Sequence, residues 1–403
     1  MEFLRSVSAS LAEERLLSFP FRLEGEILPT EEALGRVAAE DLFSPEELPP
    51  FTRSLVDGYA VKARDTYGAK ETAPLLFYLD GEVRVGEQAS FEVKEGHAVY
   101  VATGAMIPKG ADGVVMQEYV RRIGDTIEVT RPIHEGENVI LRGEDVRDMQ
   151  RLIGRGERIT AFHLAVFSAL GIQTVPVYRI PTVSYLSTGD EIVEMHKRLE
   201  MGKVRDVNRY MLTALLKKEG IRVHALGIAR DRKEELLERL EGGLSSDLLI
   251  VSGGSSKGER DLLEEVIRGL GGQIVFHGIN IRPGKPTIFA NVRGKPLFGL
   301  PGHPLSCLMV TLRFVLPFVR KMKGESQIKT RILRGVLCEA VPSSLGVEEY
   351  VLVRVEGVDI VVPIHSKSSA ISVTLSATGY IVVPEDREGL EAGERVEVVP
   401  FDA

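Results

Sequence analysis

The sequence contains few cysteines and no long hydrophobic run, and both absences exclude classes of protein. Only two of its 403 residues are cysteines, Cys307 and Cys338, and they do not form a C-x-x-C spacing, so a disulfide framework is not expected. No apolar stretch reaches the ~18 residues of a membrane-spanning helix. Residues 1–17 lack the basic and apolar segments of a signal peptide. We therefore expect a cytoplasmic protein that does not cross a membrane.

Basic runs and the common nucleotide and zinc motifs are also missing. The 50 basic and 58 acidic residues give a net charge of −8 without a long basic stretch, which argues against nucleic-acid binding. The histidines show neither H-x-x-x-H nor H-E-x-x-H spacing, so a dedicated zinc site is not expected. G-x-G-x-x-G is absent. Gly253 and Gly258 match a P-loop only in part, because Glu259 and Arg260 stand where Lys-Ser/Thr is needed.

The length of the chain and its changing pattern predict several domains. Residues 1–44 and 140–178 are predicted to form an N-terminal linker domain with helices, one of them over 31–42 with Thr30 as its N-cap. Residues 45–139 consist of short alternating segments between glycine turns, which indicates an inserted β-rich domain.

The second half of the chain changes to strands that alternate with helices. Over residues 179–325 this pattern predicts a central, doubly wound, mostly parallel α/β domain with helices on both faces of the sheet. Residues 326–403 return to alternation and predict a small β-barrel. The fold class is therefore multidomain, α/β plus β.

Four turns follow strands of the predicted α/β sheet, and several carry carboxylates. The turns are Ser187–Glu191, Ala229–Asp231, Ser252–Asp261 and Gly299–Pro304. In open parallel sheets, ligands bind outside the carboxyl ends of the strands, so these turns should face one crevice. Each carboxylate by itself fits a helix cap or a solvated charge. Together they favour a hard cation such as Mg²⁺, which also bridges to phosphates that glycine N–H groups can hold.

Other candidate residues allow two interpretations. Arg282 and Lys285 flank a Pro-Gly turn, which is either a surface turn or an anion clamp. Asp57 in "SLVDGYAV", judged alone, is a turn residue.

Taken in order along residues 45–305, these motifs resemble those of one family. The stretches are "SLVDGYAV", "ATGAMIPKGADGVVMQE", "RGEDV", "STGDE", "VSGGSSKGERD", "RPGKPT" and "GLPGHP". They resemble the molybdopterin molybdenumtransferases, the MoeA and gephyrin E-domain family. The resemblance implies an α/β domain similar to molybdopterin adenylyltransferases. It also implies an elongated homodimer that inserts molybdate into adenylylated molybdopterin and releases AMP, with a divalent cation, Mg²⁺. A molybdopterin adenylyltransferase is then a candidate partner.

The resemblance also implies roles for individual residues. The catalytic set comprises Asp57, Asp145, Glu191, Asp231 and Asp261, of which Glu191, Asp231 and Asp261 would bind the metal. The substrate-binding set comprises Thr103, Ser187, Thr188, Gly189, Gly253, Gly254, Ser255, Arg282, Lys285, Pro301, Pro304, Arg354 and Ser368. In this family the cleft lies between the α/β domain of one subunit and the β-rich domain of the other.

Two departures and two alternatives accompany this interpretation. His303 stands where the family usually has asparagine, and Gly278 where many members have a basic residue. The alternatives are a catalytically silent scaffold or binding paralogue, and a nucleotide pyrophosphatase or amidohydrolase of related fold. The second shares the α/β domain but not the "DGYAV" and "ATGA" stretches.

Overall fold

The fold is described from a computed structural model of the chain. It describes residues 6–253, 257–326 and 331–401, with only the backbone of residues 257–261. The α-helices are α1 (Ala9–Leu17), α2 (Ala161–Ala169), α3 (Val207–Lys218), α4 (Lys233–Gly243), α5 (Lys257–Gly269), α6 (Pro304–Val310) and α7 (Leu316–Met322). A π-helical turn, Thr311–Val315, joins the last two. No helix in the described part of the chain is long and apolar enough to cross a membrane.

The strands are numbered in chain order. Those before α2 are β1 (Gly25–Pro29), β2 (Leu42–Phe43), β3 (Arg53–Ser54), β4 (Gly58–Val61), β5 (Leu75–Val83), β6 (His97–Val101), β7 (Gly113–Met116), β8 (Val120–Ile123), β9 (Thr126–Val129), β10 (Val139–Ile140) and β11 (Arg151–Ile153). Those from α2 to α7 are β12 (Thr174–Tyr178), β13 (Thr182–Thr188), β14 (Ile192–Val193), β15 (Val204–Arg205), β16 (Arg222–Ala229), β17 (Leu248–Ser252), β18 (Gln273–His277), β19 (Ile281–Arg282), β20 (Ile288–Val292) and β21 (Lys295–Leu300). The remainder are β22 (Leu333–Leu337), β23 (Val341–Pro342), β24 (Glu348–Glu356), β25 (Ile360–Pro363), β26 (Gly379–Val383), β27 (Gly389–Leu390) and β28 (Arg395–Pro400).

The β-rich part forms one six-stranded sheet in the order β7-β4-β6-β5-β9-β8. Neighbouring strands run antiparallel except β5 and β6, which are parallel. Apolar residues on its two sides form separate buried clusters, one around Phe77 and Ile127 and the other around Val83 and Val99. The prediction of a β-rich region in this part of the chain is confirmed.

The helix predicted over residues 31–42 is wrong. Only Thr30–Glu32 forms a 3₁₀ turn, and the Thr30 hydroxyl donates to the carbonyl of Ile172 instead of capping a helix. Gly35 has φ +74°, a left-handed conformation that interrupts an α-helix. The next apolar residues form β-bridges instead, and Ala38 pairs with Val177 of β12. Burial against a strand therefore overrides the helical spacing of this segment.

Helix α1 packs against the α/β sheet, although the sequence groups it with the N-terminal segment. Ala12, Leu16 and Phe19 are buried in the cluster that also contains Phe289 and Phe318. Ser8 caps the helix by accepting from the N–H of Leu11 at 3.2 Å. The start of the chain thus covers part of one face of the central sheet.

The central sheet is doubly wound, as predicted. Its order is β16-β13-β17-β21-β20-β18, and the first four strands are parallel while β20 runs antiparallel to both neighbours. Residues of α1, α3, α6 and α7 cover one face, and residues of α4 and α5 cover the other. Because both faces are covered, β17 is buried along its whole length.

The C-terminal part is a closed barrel, also as predicted. Strands β24, β25, β22, β28 and β26 pair in sequence, and an additional pairing of β24 with β26 closes the ring. Strand β19, which precedes β20 of the central sheet, adds to the start of β24 in parallel. The segment around Arg282 is therefore shared between the α/β unit and the barrel.

A buried carboxylate joins the N-terminal part to the central unit. Glu219, at the end of α3, accepts from Nε of Arg320 at 2.9 Å and from Arg158 at 2.8 Å. Lys323, also buried, donates to the main-chain oxygen of Glu219. Burial alone would raise the pKa of Glu219, but the hydrogen bonds from Arg320 and Arg158 outweigh it and lower the pKa from 4.5 to about 2. The folded state therefore strongly favours the ionised form.

We predict that Glu219→Gln destabilises the protein at neutral pH, by about 3 kcal/mol, because it removes the carboxylate that pairs with Arg320 and one of the two, Glu219 and Glu325, that pair with Arg158 and Lys323. Since the pKa of Glu219 is lower in the folded state, its contribution is complete above pH 4.5 and is lost as the pH falls toward about 2. Thermal unfolding measured from pH 7 to pH 3 should therefore show a flatter acid limb for the variant.

Glu397→Gln provides the control. Its partner Arg334 is 82% exposed, and a surface pair of this kind contributes little to stability, at most about 1 kcal/mol. An acid limb of equal steepness in wild type and Glu219→Gln would show that Glu219 does not carry this pH dependence.

Candidate active site

The four predicted turns begin at the same edge of the central sheet. Residue pairing between neighbouring strands places Thr188 beside Ala229, and Ser252 beside both Ser187 and Leu300. The parallel strands β16, β13, β17 and β21 therefore end in register, as the sequence predicted. Their carboxyl ends form the edge where open parallel sheets bind ligands.

A small cavity opens at this edge. Thr188, Asp231, Gly253 and Leu300 are among the residues that line it. Thr188 is buried and Asp231 is half-buried. The structure thus brings together one residue from each of three predicted turns, with Leu300 at the start of the fourth.

Gly253 is required by the close approach of two strand ends. Its φ is +133°, and a Cβ atom at this position would lie 2.1 Å from the main-chain oxygen of Thr188. No side chain fits at that distance, so any other residue would force the two turns apart. Gly189 has φ +143°, and a Cβ there would lie 2.8 Å from Oε2 of Glu191. The carboxylate of Glu191, an exposed residue, therefore lies close to the backbone of Gly189 in the same turn.

Three predicted residues lie wholly or partly outside the described residues. Gly254 and Ser255 fall between residues 253 and 257, and only the backbone of Asp261 is described, within α5. Their predicted contacts with phosphate and metal stay predictions.

Asp57 and Thr103 form a second group, in the β-rich sheet. Oδ1 of Asp57 accepts from the N–H of Thr103 at 2.7 Å and from its hydroxyl at 3.0 Å. These two hydrogen bonds, the main-chain one first, lower the pKa of Asp57. Asp57 is therefore an exposed, ionised carboxylate of fixed orientation where β4 begins and β6 ends.

Asp145 lies in an exposed turn after β10, and its N–H donates to the carbonyl of Leu48 at 3.0 Å. Among the described residues of one chain, no hydrogen bond or ion pair connects Asp57, Thr103 or Asp145 with Glu191. Asp57 and Thr103 belong to the β-rich sheet, whereas Glu191 follows β13 of the central sheet.

A larger cavity of about 350 Å³ lies between the central unit and the barrel. Arg282 and Ser368 line it, as do Glu349, Tyr350 and His365. Arg282 donates to Oε2 of Glu349 at 3.3 Å, so its charge is partly compensated. Sequence analysis did not find the last three residues, because they lie on barrel elements whose approach to Arg282 has no local sequence signal.

The substituted turn residue His303 connects the same two parts of the molecule. Its Nδ1 lies 3.0 Å from the hydroxyl of Ser368, and the N–H of Leu305 donates to the carbonyl of Ser368 at 3.0 Å. Pro304 begins α6, where the missing N–H of proline costs nothing, and Pro301 precedes it in the turn. The loop after β21 therefore contacts the barrel directly.

Lys285 and Arg354, the remaining predicted residues, are exposed. Lys285 follows the turn after β19, and its carbonyl accepts from the N–H of Ile279 at 3.0 Å. Gly278 has φ +92°, a backbone conformation in which a residue with a basic side chain would be strained. Arg354 lies on β24, where Nε donates to Glu356 at 2.8 Å, and it is not among the residues lining the larger cavity.

Sequence analysis missed a buried polar chain beneath the turns. The Tyr185 hydroxyl contacts that of Ser252, Ser187 Oγ lies 3.3 Å from the Tyr185 hydroxyl, and Ser187 donates to Asp206. Burial raises the pKa of Tyr185, which keeps its hydroxyl neutral. Ser187 was predicted to bind substrate, but its hydroxyl is directed to Asp206. The available signal was Asp206 itself, an N-cap residue before α3.

The donors at the edge of the sheet suit a hard cation only in part. No group of three or more His, Cys, Asp or Glu side chains able to hold a metal occurs among the residues whose side chains are described. Mg²⁺ usually takes one or two carboxylates together with substrate phosphates and water, and Glu191 and Asp231 fit that pattern. The residues present are therefore compatible with Mg²⁺ bound jointly with a phosphate ligand.

Three family models match the chain along almost its whole length. Residues 5–171 match the MoeA N-terminal region (domain I and II), residues 184–321 the "Probable molybdopterin binding domain", and residues 334–401 the MoeA C-terminal region (domain IV). The first match covers the segment with Asp57 and Asp145, and the second covers the four turns.

Individual relatives agree with these models. The molybdopterin molybdenumtransferase of Haemophilus influenzae is 34% identical, over 96% of each chain, and that of Staphylococcus epidermidis is 31% identical, over 98% of this chain and 95% of that one. The molybdopterin biosynthesis MoeA protein from Pyrococcus horikoshii, known from a crystal structure, is 38% identical in sequence. The two structures superimpose with a TM-score of 0.86 over 99% of this chain and 100% of that one. The chain belongs to the molybdopterin molybdenumtransferase (MoeA) family.

Proposed function

We propose that the chain is a molybdopterin molybdenumtransferase. It would insert molybdate into adenylylated molybdopterin in the cytoplasm, and release AMP as the molybdenum cofactor forms. The observation that carries the proposal is the convergence of Thr188, Asp231 and Gly253 at the carboxyl edge of the sheet, in a chain that matches the family throughout.

The chain's own groups have complementary tasks at this edge. The N–H groups of the turn that begins at Gly253 would hold a phosphate of the adenylylated substrate. Thr188 and Asp231 would contact the same substrate from the neighbouring turns. Arg282 and Lys285 would attract the anionic substrates, molybdate included, although Arg282 must exchange its contact with Glu349 to do so.

A divalent cation, Mg²⁺, would be held by Glu191, Asp231 and Asp261 together with the substrate. When bound, it would offset negative charge on the phosphoanhydride and on the departing AMP. Without that charge, the carboxylates of these turns would repel the phosphates that the glycine turn attracts.

We infer that the active unit is a homodimer. Asp57 is fixed by Thr103 and is ionised, yet no hydrogen bond or ion pair among the described residues of one chain joins either residue to Glu191. A second copy could bring the Asp57 group, with Asp145, to the turns of the first copy. The separation of the two groups within one chain supports this arrangement, and a molybdopterin adenylyltransferase is the partner that would supply the substrate.

We predict molybdate-dependent release of AMP from adenylylated molybdopterin in the presence of Mg²⁺. Asp57→Ala should lower the rate at least about 100-fold, because a fixed charge in the cleft is lost. Chromatographic detection of AMP measures the reaction directly.

Asp65→Ala is the matched control. Asp65 lies in the same part of the chain, and its carboxylate also accepts from a main-chain N–H, that of Gly96 at 3.0 Å. We expect its rate to stay near that of wild type. Binding of the substrate without AMP release would favour the silent scaffold, whereas AMP release from simple nucleotides without molybdate would favour a pyrophosphatase.

Mixing two inactive variants tests the shared cleft. If Asp57 and Asp231 of one site come from different subunits, a reassorted mixture of Asp57→Ala and Asp231→Ala should regain about one quarter of the wild-type activity. Half of the dimers then contain one subunit of each variant, and each of these mixed dimers has one intact site and one inactive site. Activity that stays at the level of the separate variants, although mass spectrometry shows mixed dimers, would place both residues in a cleft of one subunit.

Metal dependence tests the role of Glu191. We predict that Glu191→Gln raises the Mg²⁺ concentration for half-maximal AMP release about ten-fold, because one anionic oxygen ligand is lost. Glu200→Gln, an exposed position in the segment that follows, should behave as wild type. Equal Mg²⁺ requirements for both variants would remove Glu191 from the metal site.

A further inference from the structure

The buried polar chain connects two of the turns with the start of α3. Tyr185, Ser187, Ser252 and Asp206 are each at most 4% exposed. Tyr185 and Ser187 lie on β13, Ser252 ends β17, and Asp206 precedes α3. Because these side chains are buried, water does not replace a hydrogen bond that one of them loses. Each hydroxyl therefore depends on the neighbouring side chain for its hydrogen bond.

The carboxylate sets the direction of the hydrogen bonds. An ionised carboxylate can only accept, so Asp206 takes the single proton of Ser187. Ser187 Oγ is also aligned toward the Tyr185 oxygen at 3.3 Å, and the Tyr185 hydroxyl contacts that of Ser252. Asp206 also accepts from the N–H of Arg209 at 3.1 Å, and the positive end of α3 stabilises its charge. The hydroxyl of Ser252 is therefore connected with Asp206 through the side chains of Tyr185 and Ser187.

The same helix start holds a third turn. Nδ2 of Asn208, on α3, donates to the carbonyl of Gly302 at 2.9 Å, in the turn after β21. Asn208 is 6% exposed, and its Oδ1 has no hydrogen-bond partner in the described part of the chain. Residues 206–208 thus contact, directly or through Ser187 and Tyr185, the ends of β13, β17 and β21.

We propose that Asp206, Ser187, Tyr185 and Ser252 are positioning residues that hold the ends of β13 and β17, with Thr188 and Gly253, in the geometry needed to bind adenylylated molybdopterin. The inference rests on the proposed function, because it assigns this edge of the sheet to the substrate. Ser252 immediately precedes Gly253, whose packing against Thr188 leaves no space for adjustment. A loosened Ser252 would therefore displace Gly253 and Thr188, which line the cavity at the edge of the sheet.

Another pair of buried hydroxyls in the protein closely matches the contact between Tyr185 and Ser252. Ser246 and Ser184 are both buried, and their hydroxyls lie 2.8 Å apart. That pair also connects β13 with the β17 segment, but at the opposite, amino end of the sheet. Ser252→Ala and Ser246→Ala therefore remove the same chemical group from the same pair of strands, and only the first faces the turns.

The experiment compares wild type, Ser252→Ala, Tyr185→Phe and Ser246→Ala in the full chain. Calorimetric titration gives the dissociation constant for adenylylated molybdopterin, and molybdate-dependent AMP release gives KM and kcat. We expect Ser252→Ala and Tyr185→Phe each to raise both the dissociation constant and KM about five-fold, with little change in kcat. Ser246→Ala should match wild type in all three constants, although its thermal stability falls as much as that of Ser252→Ala.

The double variant Tyr185→Phe/Ser252→Ala separates a positioning chain from a direct contact. If the two hydroxyls act as one unit, the double variant should bind no more weakly than either single variant. A defect in Ser252→Ala without one in Tyr185→Phe would overturn the inference, since Ser252 would then contact substrate itself. Equal constants for Ser252→Ala and Ser246→Ala would overturn it as well. Failure of wild type to bind or turn over the substrate would instead refute the proposed function.

Discussion

The register of four parallel strands is the constraint on which the rest of the structure depends. Pairing of Ser252 with both Ser187 and Leu300 makes the strands end together. Only then can turns from distant parts of the chain meet, and the meeting is so close that Gly253 accepts no side chain. Helices on both faces bury these strands, so a slip of one residue would direct each side chain into the opposite apolar layer and disrupt the packing of both.

Two buried carboxylates show how position decides what a charge does. Glu219 is surrounded by Arg158, Arg320 and Lys323, and the resulting network joins the N-terminal part to the central unit. Asp206 is held by a serine hydroxyl and a helix start, and it orders hydroxyls beneath the turns. In the first case the charge stabilises the arrangement of segments. In the second it fixes a local geometry, because a carboxylate accepts hydrogen bonds and cannot donate them.

In the proposed function, the β-rich sheet and the α/β edge each contribute half of a site. Thr103 orients Asp57 with no help from the central sheet, so this group is complete before any assembly. At the edge of the α/β sheet, carboxylates lie beside a glycine turn. These carboxylates would repel a phosphate held by that turn unless a cation offset their charge. In the proposed homodimer, a second copy of the chain would bring the two groups together, and the mixing experiment distinguishes that arrangement from a cleft within one subunit.

The sequence alone determined the strand–turn–helix pattern, since apolar runs, glycine turns and helix caps act over a few neighbouring residues. Asp231, Gly253 and Glu191 could be identified because each follows a recognisable strand. The same local rules failed over residues 31–42, where Gly35 and burial against β12 prevent a helix. Only the tertiary structure decided the contacts among Asp206, Ser187, Tyr185 and Ser252. Ser187 and Asp206 lie 19 residues apart along the sequence, and Tyr185 and Ser252 lie 67 residues apart. Their contacts exist because register and helix packing bring them together, and no local pattern encodes that proximity.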